Sequence, residues 1–263
     1  MDILGKRKIW YTISLTILVI GLLFLAINGL NFGIDFQGGT LLEFKFDQEV
    51  TNEDVRSVLN EINIAEDSKI QQSNTQGIHG VIIRAQELTP QEIADVEDGL
   101  RNTYSSTEML RTQMVGPVIG QELRTKALLA LLIASIAIVL YISVRFEFRF
   151  AIVSIITLMH DVLITLGIFA ILGKEINTPF IAALLTIIGY SINDTIVIFD
   201  RIRENMKLMH KTPFEKLANS AVIDTLPRSI NTSLTTLITI LAIYLFGGAS
   251  IKIFMLALFI GMF

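Results

Sequence analysis

Five long apolar runs dominate the chain: Ile9 to Leu30, Ala127 to Val144, Phe150 to Leu172, Pro179 to Phe199 and Ser229 to Phe246. Each is close to the roughly 20 residues that a helix needs to cross a bilayer core, so the pattern predicts a polytopic α-helical membrane protein. A sixth run starts at Ile251 and stops at Phe263, too short to cross, and predicts a slightly longer protein whose last helix is truncated here. The first run follows Lys6, Arg7 and Lys8, as the core of a signal peptide would. It is longer than the roughly 7–15 residues of such a core, and Ala26-Ile27-Asn28 lacks a small-x-small cleavage pattern, so it reads as an uncleaved span.

Between the first two runs the period shortens. Phe32 to Phe46 alternates apolar and polar positions around Gly38-Gly39, which predicts a kinked strand. Thr51, with Asp54 three residues on, opens a helix through Val55, Val58, Leu59 and Ile62; Thr89-Pro90-Gln91-Glu92 is a capping box for a second helix reaching about Tyr104. Short strands are expected at Ser68 to Ser73 and Gly80 to Ala85, joined by a polar turn at Asn74 to Gly77, and a last strand at Glu108 to Val115. The order β-α-β-β-α-β is that of a ferredoxin-like sandwich.

Charge adds sidedness. Lys6, Arg7, Lys8, Arg145, Arg149, Arg201, Arg203, Lys207, Lys211 and Lys216 fall on one side of the alternating spans, against Lys174 and Lys252 on the other, which places the N-terminus in the cytoplasm. The expected division is a cytoplasmic N-terminus (1–8), a first transmembrane helix (9–30), an extracytoplasmic domain (31–124) and transmembrane helices two to six (125–263), with cytoplasmic loops at 145–149 and 200–227. The outer domain holds 16 carboxylates against 7 Lys and Arg, a net charge of −9, while the remainder sums to +5. Such an acidic domain argues against nucleic acid or anionic lipid as its partner. Cysteine is absent, so no disulfide staples it.

No GxxxxGK[ST], HExxH, CxxC or GxSxG pattern occurs, so the sequence predicts neither an enzyme nor a metal or cofactor site. His79 beside a glycine reads as a surface residue. What stands out instead is polarity inside the apolar runs, where a carboxylate costs about 2.5–3.5 kcal/mol on insertion scales. His160 and Asp161 lie mid-run, with Thr157 and Thr165 on the Asp161 stripe; Tyr190, Ser191, Asn193 and Asp194 form a second patch; Arg228 begins a third with Thr232, Thr235 and Thr239. Each has a bland reading: hydrogen-bonded glue between helices, a snorkelling carboxylate, a positive-inside anchor. Four apolar residues separate Asp194 from Asp200, which makes snorkelling a poor fit, and a helix carrying Arg228 beside it would bring arginine and aspartate within reach.

Four segments carry a resemblance. FGIDFQGGT (Phe32 to Thr40), VGPVIGQEL (Val115 to Leu123), HDVLITLGIF (His160 to Phe169) and GYSINDTIVIFDRIREN (Gly189 to Asn205) resemble the hallmark segments of the SecF branch of the SecD-SecF family of bacterial export proteins. Gly33, Asp35, Gly38, Gly39, Gly116 and Pro117 are the motif positions of the first two segments. The resemblance implies the resistance-nodulation-division (RND) superfamily fold, with six spans and an external domain after the first. It implies a multi-pass protein of the bacterial inner membrane, paired with SecD beside the SecYEG channel and the SecA motor. The proton would be the coupling ion, drawing secreted polypeptides outward without any other cofactor. It also implies that Asp194 and Arg228 are the charged pair of the proton path, with His160, Asp161, Asn193, Thr232 and Thr235 in support. An apolar surround favours a protonated carboxyl and an adjacent guanidinium an ionised one, so joining or parting the pair would switch its charge. Two other readings stay open: half of a proton-coupled transporter for small molecules or lipids, and a purely structural membrane subunit.

Overall fold

The computed structural model describes residues 2–66, 68–73, 79–209 and 211–263; the expected turn at Asn74 to Gly77 lies outside them. After a 3₁₀ turn at Leu4–Lys6, helix α1 spans Arg7–Asn28. There follow β1 (Asn31–Phe32), α2 (Ile34–Gln37), β2 (Gly39–Phe46), α3 (Asn52–Glu61), β3 (Lys69–Gln72), β4 (His79–Ala85), α4 (Pro90–Thr103) and β5 (Glu108–Val115). The rest is α5 (Pro117–Arg145), α6 (Phe148–Ile171), β6 (Glu175–Ile176), α7 (Thr178–Leu208), α8 (Phe214–Phe246) and α9 (Ala249–Met262). Two compact units emerge, one formed by residues up to Asn31 with Leu129–Phe263 and the other by Phe32–Leu128, so that a boundary falls inside α5. Among the described residues, five helices are long and apolar enough to cross a membrane, and each contains one of the five expected runs or nearly all of it.

In the Phe32–Leu128 unit, four strands form an antiparallel sheet in the order β3-β4-β2-β5. Alternation along β2 sends Leu42, Phe44 and Phe46 into a core with Val55 and Leu59 of α3 and Val96 and Leu100 of α4, while Leu41, Glu43 and Lys45 stay half-exposed. Both helices open as their sequences specify. Thr51 Oγ1 accepts from the Asp54 N–H (3.2 Å) and Asp54 Oδ2 from the Thr51 N–H (2.9 Å); Thr89 and Glu92 repeat this at 3.3 and 2.7 Å. The threonine backbone N–H, seconded by its hydroxyl, holds each carboxyl below its ordinary range.

The expected strand from Phe32 to Phe46 is broken. Residues Ile34–Gln37 form a helical turn, capped by Gly33, that buries Ile34 and Phe36. Gly38 (φ +80°) and Gly39 (φ +126°) then turn the chain into β2 through left-handed backbone, where a Cβ on Gly39 would stand 2.5 Å from Ala85 O. A Cβ on Gly38 would stand 2.9 Å from Pro117 Cα, and one on Gly120 3.0 Å from Gly38 N. Asp35 Oδ1 accepts from Gln113 Nε2 at 3.1 Å. The two glycine segments of the sequence are thus one structural seam, with Gly116 and Pro117 leading into α5 against Gly38.

In the helical unit, α1 packs on α6, and α7 packs on α6, α8 and α9. The expected loop at 200–227 is helical over most of its length, because α7 runs on to Leu208 and α8 starts at Phe214. An apolar stripe of Phe199, Ile202, Leu217, Ala218 and Ala221 continues the packing there, and Arg201 binds Asp224 (2.6 Å) and Glu204 (2.7 Å). Pro227 sits within α8. The loop expected at 145–149 shrinks to Phe146 and Glu147, and the second apolar helix begins at Pro117.

Candidate functional site

The polar residues of the helices sort into three places. The first joins α1, α6 and α7. Ser191 Oγ donates to Asp161 Oδ2 at 2.6 Å, His160 Nδ1 faces Asp161 Oδ1 at 2.9 Å, and His160 Nε2 meets Ser14 Oγ within hydrogen-bond reach. Both carboxylate oxygens and both ring nitrogens are engaged, which is how a polar group persists among apolar helices. The Asp161 side chain is 24% exposed and His160 36%. One turn further along α6, the buried Thr165 hydroxyl donates back to Asp161 O at 2.8 Å, while Thr157 donates to Val153 O.

Asp194 lies on α7 three residues beyond Ser191, half-buried, with Asn193 exposed beside it. Helices α7 and α8 pack as the arginine–aspartate pairing requires, yet among the described residues no hydrogen bond or ion pair joins Asp194 to Arg228. Arg228 is exposed and shares a cleft with Val197, Asp200, Arg201, Glu204 and Asp224. The hydroxyl stripe of α8 turns inward on its own helix: Thr232 donates to Arg228 O (2.8 Å), Thr235 to Asn231 O (2.9 Å) and Thr239 to Thr235 O (3.0 Å). It is Thr236, one position off that stripe, that meets Tyr190 of α7 at 3.3 Å.

Sequence reasoning missed Ser14. Three hydroxyls lie close together on α1; those of Thr12 and Thr16 bond to carbonyls one turn back, Lys8 O and Thr12 O, and only helix periodicity distinguishes Ser14, which shares a stripe with Leu18 and Gly21. Gly21 is the buried residue of α1, and a Cβ there would stand 2.9 Å from Gly167 Cα.

The model of the "Protein export membrane protein SecD/SecF, C-terminal" family matches residues 95–263, and that of the "SecD/SecF GG Motif" matches residues 23–50. The chain belongs to the SecD/SecF family. Protein translocase subunit SecF of Thermobaculum terrenum is 44% identical over 278 residues, covering 99% of this chain and 88% of that one. Protein translocase subunit SecF of Haemophilus influenzae is 38% identical, covering 99% and 80%. The crystal structure of SecDF from Thermus thermophilus superposes with a TM-score of 0.92 at 35% identity, covering all of this chain and 36% of that one. The SecD/SecF GG motif match contains Gly38 and Gly39, whose positive φ gives it a structural reason.

Proposed function

We propose that the chain is an accessory subunit of the Sec protein translocase that uses the proton motive force, together with a SecD partner, to promote export of secreted polypeptides. Likeness to SecF subunits along nearly the whole chain carries this reading. The chain spans about a third of the SecDF chain it superposes on, and the remainder of that assembly is the model for the missing partner. The antiparallel order β3-β4-β2-β5 with α3 and α4 in one core supports a ferredoxin-like external domain, and α9 supplies a sixth apolar helix, as an RND-type fold requires. The positive-inside pattern supports a cytoplasmic N-terminus in a bacterial inner membrane. SecYEG and SecA would complete the machine.

Asp194 and Arg228 are the proposed coupling pair. With no hydrogen bond or ion pair joining them among the described residues, and with Arg228 lining a cleft that also holds Asp200, Glu204 and Asp224, the arrangement corresponds to the unpaired half of a cycle. Exposed polar positions such as Asn193, Arg228 and Thr235 are poorly matched to lipid, which supports a second chain covering this side of α7 and α8. Each proton crossing at about 100 mV releases roughly 2.3 kcal/mol, enough to bias a two-state packing strongly. Asp194→Asn should abolish the gradient-dependent part of export in inverted vesicles while the complex still copurifies. Undiminished gradient-dependent export would overturn the reading in favour of a structural subunit, and altered small-molecule sensitivity with normal secretion would favour a transporter.

A further inference from the structure

We propose that His160 is a positioning residue that couples α1 to the acid-bearing turn of α7, so that repacking around Asp194 is passed to α1 through Ser191, Asp161, His160 and Ser14. The proposal rests on the proton-driven reading above. It starts from a matched spacing. Ser14 and Gly21 on α1 are seven residues apart, as are His160 and Gly167 on α6, and the contacts Ser14 with His160 and Gly21 with Gly167 pair them in parallel. At the upper contact two backbones meet: a Cβ on Gly167 would stand 2.7 Å from Gly21 Cα. Glycine against glycine provides no interlocking side chains, so little there fixes the rotation or register of α1. The lower, polar contact does so by hydrogen bonding.

That contact leads directly to α7. Asp161 spends one oxygen on His160 (2.9 Å) and the other on Ser191 (2.6 Å), and Ser191 precedes Asp194 by three residues, on the same helical face. Displacing the Ser191–Asp194 turn takes away a donor from Asp161, which frees the carboxylate to reorient His160 and with it the acceptor or donor that Ser14 sees. Along the elements packed on α6, the titratable side chains near this chain of contacts are Tyr11 before Ser14, and Tyr190 and Asp194 beside Ser191; α9 carries Lys252. Polar glue alone would predict a fixed contact; coupling predicts one that responds.

The absence of cysteine allows a direct test in the full complex. The same seven-residue register sets Leu18 and Ile164, both half-buried, at matching positions between the two contacts. With Leu18→Cys and Ile164→Cys, disulfide formation in energised membrane vesicles should change several-fold when the proton gradient is dissipated. Ser14→Ala and Ser191→Ala should each remove that response, and Ser14→Thr, which keeps the hydroxyl, should restore it. A crosslinking rate indifferent to the gradient, or a response that survives both alanine variants, overturns the proposal. Failure of the parent reading is visible separately, as gradient-dependent export that persists in Asp194→Asn.

Discussion

In the core of the Phe32–Leu128 unit Leu42, Phe44 and Leu59 are fully covered, whereas along α1 and α5 Trp10, Tyr11, Leu132 and Val144 are more than half exposed. Charged and hydroxyl groups serve different ends in the two units. Asp54 and Glu92 sit on the surface of the sheet unit and cap helices, while Thr165 is fully buried in the helical unit and Asp161 is bonded on both oxygens by neighbours from two directions. Water rewards hiding carbon, and hydrocarbon rewards pairing dipoles. One chain obeys both rules within a few residues of each other in sequence.

The sharpest way to break this comparison is to remove enclosed carbon from the sheet unit. Phe44→Ala should cost about 3–5 kcal/mol there, seen as a lower unfolding midpoint of sheet-unit protection in limited proteolysis. Next comes the glycine crossing. Gly21→Leu forces side-chain volume between two touching backbones and should cost about 1–3 kcal/mol, read as loss of the folded fraction in detergent titration, whereas the same change at the open Gly189 should be far milder. Acid gives a smaller effect confined to the sheet unit. Because the folded Asp54 and Glu92 carboxyls lie below their ordinary values, their contribution is complete above the ordinary carboxylate range and is lost as pH falls through the lower folded values; Asp54→Asn should flatten that decline in a pH series of melting curves. Smallest of all, Leu132→Ala on the exposed side of α5 should stay within about 0.5 kcal/mol in the same detergent titration that reports on Gly21.

Much of this division is legible in the sequence because it is local. The five helices long enough to cross follow from apolar runs, and the caps of α3 and α4 from Thr-x-x-Asp and Thr-Pro-x-Glu. The departures have particular causes. Residues 34–37 alternate like a strand but close into a helical turn because Gly38 and Gly39 take positive φ, a choice that spacing does not encode. Residues 200–227 carry many charges and look like a loop, yet Arg201, Glu204 and Asp224 pair with one another over a continuing apolar stripe. At the site, His160 with Asp161 and the Asn193–Asp194 patch could be singled out from their cost in lipid. Ser14 could not, because its meaning depends on a partner 146 residues away.

The length of α7 has its own implication. At about 1.5 Å per residue its 31 residues reach roughly 46 Å, against a hydrocarbon slab of about 30 Å. It is a single shaft standing in two solvents, greasy where Ser191 and Asp194 sit and wet where Arg201 clasps Asp224. The oily stretch and the watery end thus share one backbone, and ordinary salt screens the clasp at the watery end.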